Sequence, residues 1–136
     1  MVAANNIFNI RDTKQNFLGS NGSTKGFVVF NDYGWCVRAA MLILRNYNRR
    51  GIKTIEQIIS TWAPPSENNT SKYISFVCDL MHVSKATEIS LHKPLQLFQF
   101  FQAMARFETN TYLYFPDFDL GYLRFLTDSC DFYEKV

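Results

Sequence analysis

Residues 54–81, TIEQIISTWAPPSENNTSKYISFVCDLM, predict two helices joined by a corner that contains two prolines. Apolar residues recur in each arm at the i, i+3, i+4, i+7 spacing of one helix face. They are Ile55, Ile58, Ile59 and Trp62 in the first arm, and Tyr73, Phe76, Val77, Leu80 and Met81 in the second. Pro64 and Pro65 end the first helix, because proline cannot donate to the helix ladder and disfavours helical angles in the residue before it. We therefore expect Ala63 to lie outside the helix.

The corner itself, residues 66–70, consists of polar side chains that can bond to nearby backbone. Asn69 or Thr70 is the expected N-cap of the second helix. Burial of the apolar faces on both sides would hold this loop rigid. A rigid polar loop between packed helices suits a binding site, and it is equally typical of an ordinary helix connection.

The composition is that of one globular domain of 136 residues, with 47% apolar and 16% aromatic residues. A net charge of +2 without a basic stripe argues against nucleic-acid binding. No apolar run approaches the roughly 20 residues of a membrane span, and the first residues lack a secretory pattern, so we expect cytoplasmic synthesis without a signal peptide. The cysteines and histidines show no metal-ligand spacing, and we expect neither a metal nor a cofactor.

The N-terminal region, residues 1–32, predicts a small β-hairpin. Residues 5–11, NNIFNIR, alternate as a short strand, and residues 26–30, GFVVF, are the β-branched and aromatic residues of a second strand. The glycine-rich stretch 19–26 between them is expected to be a flexible turn.

The helical core is predicted over residues 33–108. Its first helix runs from about Tyr33 to Asn48 and is capped by Asn31 or Asp32. This helix is apolar nearly all round, which places it in the middle of the domain. Arg38 interrupts it and either anchors the structure or orients a carboxylate of a site.

The last helix of the core is predicted to begin at Pro94 and to run to about Glu108. Phe100 and Phe107 fall off its apolar stripe. They indicate either a helix buried on two sides or an exposed partner surface.

The C-terminal tail, residues 109–136, is rich in phenylalanine and tyrosine. Asp117 is the expected cap of a short helix that runs to about Asp128. The tail either packs back over the domain or presents aromatic rings to sugars or to phage structural proteins. The residues expected to point inward are Leu120, Leu123, Phe125 and Leu126.

Taken together, these segments resemble a family of small phage and prophage proteins that are virion-associated and lysozyme-like. The resemblance covers about residues 5–108, and its most specific part is the W-A-P-P-x-E-N-x-T-x-x-Y pattern within residues 54–74. A weaker similarity extends to the flagellar-type glucosaminidases. Their N-[NL]-F-G-I-K segment is similar to residues 6–11, and their corner before a helix is similar to residues 62–73.

The resemblance implies a lysozyme-like, mainly α-helical α+β domain with four to five helices that acts on peptidoglycan glycan strands. In the glucosaminidases the catalytic glutamate lies upstream of the segment that matches residues 6–11, so the inherited acid is expected to be absent here. Glycoside cleavage needs a proton donor and usually a second carboxylate. Glu67 is the first candidate, because the apolar indole of Trp62 beside it would favour the protonated acid. Glu108 is the second.

The expected substrate-binding residues come from two sides of a groove. Trp62, Asn68 and Tyr73 shape the sugar site from the corner. Arg11 and Asn9 contact acetamido or peptide carboxylate groups from the hairpin side.

Three functions remain open on these residues. The first is a peptidoglycan glycoside hydrolase of the muramidase or glucosaminidase type. The second keeps the fold without catalysis and serves as a structural or adaptor protein of a virion or injection device, which the missing upstream glutamate and the aromatic tail favour. The third is a secreted antibacterial effector that acts on the cell wall. All three place the protein in a virion or at the cell envelope.

Overall fold

The computed structural model describes residues 3–66 and 68–128. Within these residues the chain is an α+β, mainly α-helical single domain with five helices and one two-stranded antiparallel sheet, as the sequence predicts. The elements in chain order are β1 (Ser20–Thr24), β2 (Phe27–Phe30), α1 (Tyr33–Arg49), α2 (Ile55–Trp62), α3 (Thr70–Met81), α4 (Pro94–Thr109) and α5 (Phe115–Asp128).

The hairpin is present, but its first strand differs from the predicted one. β1 pairs antiparallel with β2, with an irregular register between Ser20 and Ser23. The glycine-rich stretch that was expected to be a flexible turn therefore holds a strand. The side chains of β1 are mostly exposed, so it has no alternation of apolar and polar residues that the sequence could reveal.

The predicted first strand, NNIFNIR, runs beside β2 without forming a ladder. Asn5 and Asn9 adopt left-handed angles, with φ of 60° and 52°, and these interrupt the extended chain. The buried Asn6 side chain holds the segment instead. It accepts from the Ile10 N–H at 2.8 Å and donates to the carbonyls of Ile10 and Val28 at 2.9 and 2.8 Å. These side-chain bonds add to a short backbone pairing, in which the Val28 N–H donates to the Ile10 carbonyl at 3.0 Å and Arg11 forms an isolated antiparallel bridge with Phe27.

α1 crosses the middle of the domain, as its apolar sequence predicts. The side chain of Asp32 is its N-cap and accepts from the Trp35 N–H at 2.9 Å. Arg38 is fully buried, and its guanidinium carbon lies 6.0 Å from the centre of the Trp35 ring.

α2 and α3 form the predicted corner. Thr54 and Gln57 make a capping box at the start of α2, and Ala63 lies just outside its end. Asn69 caps α3 by accepting a backbone N–H from the first turn. The Thr70 hydroxyl donates to the Ala63 carbonyl across the corner, which ties the two helix ends together.

α4 is buried on two sides, which resolves the alternative that its sequence left open. Pro94 occupies its first turn. Phe100 is fully buried. Phe107 stacks on Tyr73 with ring centres 4.1 Å apart and lies 5.4 Å from the ring of Phe76. The second side of α4 therefore packs against α3.

α5 exposes most of the face that was expected to point inward. The helix begins at Phe115, so Asp117 lies in its first turn and is not its cap. Phe125 is buried as expected, and Phe118 is also buried. The remainder of the predicted tail, residues 129–136, lies outside the described residues. The exposed residues among the predicted inward set are Leu120, Leu123 and Leu126.

Glycine contacts explain why α5 selects this face. A Cβ atom added to Gly121 would lie 2.6 Å from the Cβ of Val37 and 2.7 Å from the backbone oxygen of Gly34. Only glycine allows α5 to approach α1 so closely. The contact therefore determines which side of α5 packs against the core. That side is not the one that carries most of its leucines.

Candidate functional site

An open cleft of about 390 Å³ lies where the N-terminal segment meets the ends of α2 and α4. α1 supplies part of its wall. The described lining includes three aromatic residues, three amides, one cation and one acid: Phe27, Tyr47, Trp62, Asn9, Gln15, Asn68, Arg11 and Glu108. Aromatic faces with a few placed polar groups are typical of a ligand-binding cleft.

Glu108, near the end of α4, is the one acidic residue that lines the cleft among the residues the structure describes. Its Oε1 accepts from Nδ2 of Asn9 at 3.1 Å. Burial raises the pKa of Glu108, although the hydrogen bond from Asn9, the nearby Tyr73 hydroxyl and the charge of Arg11 oppose the shift. A carboxyl group that retains its proton above the usual pH range is suited to act as a general acid.

Tyr73 lies behind Glu108. Its side chain is buried and stacks on Phe107. Burial, with the Glu108 carboxylate beside the hydroxyl, raises the pKa of Tyr73 well above its usual value. The hydroxyl approaches the carboxyl group without meeting the full geometry of a hydrogen bond to any described residue. Tyr73 therefore lies on the buried side of the Glu108 carboxyl group.

The N-terminal segment locks the end of α4 in place. Nδ2 of Asn9 also donates to the backbone carbonyl of Glu108 at 3.2 Å. One residue further, the Thr109 hydroxyl donates to the carbonyl of Ile7 at 3.0 Å. Asparagine tolerates the left-handed angle at Asn9 better than most residues do, so the sequence suits this close approach.

Trp62 forms one aromatic wall of the cleft. Its indole N–H donates to the carbonyl of Phe8 at 3.2 Å, which fixes the ring. Tyr47 of α1 meets it edge-on, with ring centres 6.4 Å apart and an interplanar angle of 83°. Burial raises the pKa of Tyr47. A fixed indole beside a half-buried tyrosine offers apolar faces with polar edges, which suits the stacking of a sugar ring.

The structure brings four of the predicted site residues together and places one apart from them. Asn9, Arg11, Trp62 and Asn68 all line the cleft. Tyr73 is buried behind Glu108, away from the cleft surface. Glu67, the first candidate for the acid, lies outside the described residues.

Two features of the site were not evident from the sequence. Tyr47 lies on a helix whose pattern indicates only a core position. Asn9 was expected to contact substrate, whereas its amide is engaged with Glu108. No local spacing could reveal this pairing, because the two residues lie 99 positions apart.

Two further features concern metals and membranes. Among the described residues, no group of three or more histidine, cysteine, aspartate or glutamate side chains could hold a metal ion. In the same part of the chain, no helix combines the length and the apolar character needed to cross a membrane.

Part of the chain is similar to a phage protein. No family model matches it. Over 44 residues the chain is 48% identical to Protein P5 of Pseudoalteromonas phage PM2. The aligned segment covers 32% of this chain and 28% of that protein, so the match spans less than a third of either. The similarity fits a phage origin.

Proposed function

We propose that this chain is a phage-derived, lysozyme-like domain that binds peptidoglycan glycan strands in the cleft and cleaves them with Glu108 as the proton donor. The observation that carries the proposal is a partly buried carboxyl group of raised pKa in a cleft of about 390 Å³ lined by aromatic and amide side chains. Delivery with a virion would bring such a domain to the cell envelope.

In this proposal Glu108 supplies the acid step of glycoside cleavage. Its proton passes to the glycosidic oxygen, the bond from that oxygen to the anomeric carbon breaks, and the leaving sugar departs as an alcohol. Water then adds to the anomeric carbon, and its released proton restores the carboxyl group. Glu67 is the candidate for the second carboxylate, which would assist the water or stabilise the positive charge on the sugar.

The walls of the cleft would hold the glycan. Trp62 and Tyr47 would stack on sugar rings. Asn68 and Gln15 offer amide groups that match the acetamido substituents of the strand. Arg11 at the rim would attract the carboxylate of a peptide or lactyl group.

Binding without cleavage is the second candidate function, in the role of a structural or adaptor component of a phage particle. Two observations favour it. The described part of the cleft lining holds one carboxyl group, whereas glycosidases usually use two. The chain is also similar to a phage protein over part of its length.

The experiment is the release of soluble fragments from purified peptidoglycan by the wild type, Glu108→Gln and Glu67→Gln, with mass analysis of the products. We expect release by the wild type and a loss of about 100-fold or more in Glu108→Gln, as removal of a general acid usually costs. Glu88→Gln, which does not line the cleft, is the matched control and should release fragments at the wild-type rate.

The other outcomes separate the alternatives. Full activity in Glu108→Gln together with loss in Glu67→Gln would move the acid to Glu67. Sedimentation of the wild type with peptidoglycan without any release would favour the binding role. Neither binding nor release by a folded wild type would overturn both.

A further inference from the structure

The segment between α4 and α5 exposes two tyrosines in a fixed arrangement. Tyr112 and Tyr114 are 59% and 62% exposed, whereas Leu113 between them is fully buried. This alternation is that of an extended chain with one residue pointing into the core. The two rings lie together, with centres 4.8 Å apart and an interplanar angle of 52°. An aromatic pair therefore faces solvent on one side of the segment.

Gln102 of α4 clamps this segment at Leu113. Its side-chain amide donates to the Leu113 carbonyl at 2.6 Å, and its side-chain oxygen accepts from the Leu113 N–H at 2.8 Å. Asn110, in the left-handed conformation at the end of α4, directs the chain into this path. The backbone under the tyrosines is thus ordered before any ligand arrives, which reduces the entropy lost on binding.

The aromatic pair lies close to the cleft along the chain. Tyr112 follows Glu108 by four residues, so their Cα atoms are at most about 14 Å apart even in a fully extended chain. The Thr109 and Thr111 hydroxyl groups, 2.7 Å apart, hold the intervening turn. A linear polymer that leaves the cleft near Glu108 therefore has only a short distance to cover before it meets the tyrosines.

We propose that Tyr112 and Tyr114 form a second sugar-stacking platform, which holds the glycan strand beyond the residues seated in the cleft. This inference rests on the proposed function. Tyrosine suits the role because its ring face takes the apolar face of a sugar while its hydroxyl group remains in water. A fixed aromatic pair beside a polymer-binding cleft adds contacts along the strand, so it favours long strands over short ones.

The test compares the affinity for a long glycan strand of N-acetylated sugars with that for its disaccharide unit. All variants carry Glu108→Gln, so that the strand stays intact. We expect Tyr112→Ala/Tyr114→Ala to lower the ratio of long-strand to disaccharide affinity about tenfold, which is about 1.4 kcal/mol. Gln102→Ala, which keeps both rings but removes the clamp, should lower the ratio by a smaller factor.

Two control variants make the result specific to ring stacking. Tyr112→Phe/Tyr114→Phe keeps the rings and should keep most of the preference for long strands. Leu95→Ala removes an aliphatic side chain that is 71% exposed in the first turn of α4 and should leave the ratio unchanged. An equal loss in the phenylalanine and alanine variants would overturn the stacking role.

The outcomes also distinguish this inference from the function on which it rests. A wild-type preference for long strands that survives Tyr112→Ala/Tyr114→Ala would overturn the platform and leave the cleft proposal intact. A wild type that binds neither ligand would overturn the cleft proposal and the platform with it.

Discussion

The side-chain amide of Asn9 donates to two oxygen atoms of Glu108. Its Nδ2 donates to the Glu108 backbone carbonyl at 3.2 Å and to the carboxyl Oε1 at 3.1 Å. Because Oε1 accepts this bond, it favours Oε2 as the oxygen that carries the proton of the neutral carboxyl group. Asn9 thereby orients the carboxyl group and favours Oε2 as the oxygen that would donate the proton.

Removal of this amide should raise the pKa of Glu108 further, since the hydrogen bond from Asn9 lowers it in the native protein. We expect the same upward shift in Asn9→Ala and Asn9→Gly, measured by NMR titration of the side-chain carboxyl carbon. The lost bonds should cost about 1–2 kcal/mol of unfolding free energy in both variants.

A comparison of the two variants also separates the contribution of the side-chain amide from that of the backbone conformation at residue 9. Alanine is strained at the left-handed angle of residue 9, whereas glycine is not. Asn9→Ala should therefore be less stable than Asn9→Gly by about 1 kcal/mol. An unchanged Glu108 titration in both variants would contradict the role of the amide.

Ionisation of Glu108 should make the free energy of unfolding depend on pH. Burial raises its pKa in the folded chain above the ordinary value of 4.5, so the folded protein keeps a proton that the unfolded chain has released. The free energy of unfolding then falls as the pH rises from about 4.5 through the folded-state pKa. Glu108→Gln cannot ionise and lacks this component.

Denaturant unfolding of both proteins across pH 3–8 tests this sign. The stability of the wild type minus that of Glu108→Gln should be greatest at acid pH and should decrease toward neutral pH. A difference that increases with pH would show instead that the native structure favours the carboxylate.

The helices were predictable because each depends on local signals. The period of Ile55, Ile58 and Ile59 defines α2, and the side chains of Asp32 and Asn69 cap α1 and α3 by bonds to the next turn. Such signals lie within a few residues of one another. β1 gave no such signal, because its exposed polar residues pair with β2 through the backbone alone.

The site was predictable only in part, because its components meet through tertiary packing. Trp62 and Asn68 come from the corner whose rigidity the sequence indicates, and both line the cleft. The burial of Glu108 depends on Asn9 and Tyr73, which are distant in sequence. The leucines of α5 likewise led to a wrong prediction of its buried face, because the contact of Gly121 with α1 determines which face packs.

The close approach of α5 to α1 makes a direct prediction. Gly121→Ala would place its Cβ 2.6 Å from Val37 and 2.7 Å from the backbone oxygen of Gly34, which cannot move aside as a side chain can. We expect a loss of about 1–3 kcal/mol in unfolding free energy, although alanine favours the helix by about 1 kcal/mol. Leu123→Ala on the exposed face of the same helix should cost less than about 0.5 kcal/mol. Equal stability of Gly121→Ala and the wild type would contradict this packing.

Asp32 links the same two helices by a different interaction. Its carboxylate caps α1 and accepts two bonds from Arg124 of α5, at 2.7 and 3.1 Å. The hydrogen bond from Arg124 lowers the pKa of Asp32 below 3.8, so its stabilisation is present above that pH and is lost as the pH falls through the folded-state pKa. Asp32→Asn keeps a capping oxygen but removes the charge, whereas Asp32→Ala removes both.

These two substitutions should therefore differ. We expect Asp32→Asn to cost at most about 1 kcal/mol, because the ion pair is partly exposed. Asp32→Ala should cost about 1 kcal/mol more through the lost cap. The difference between the wild type and Asp32→Asn should shrink as the pH falls through the folded-state pKa of Asp32, since the native carboxylate then becomes protonated. Equal stability of the asparagine and alanine variants at neutral pH would show that Asp32 acts through its charge and that the cap contributes nothing.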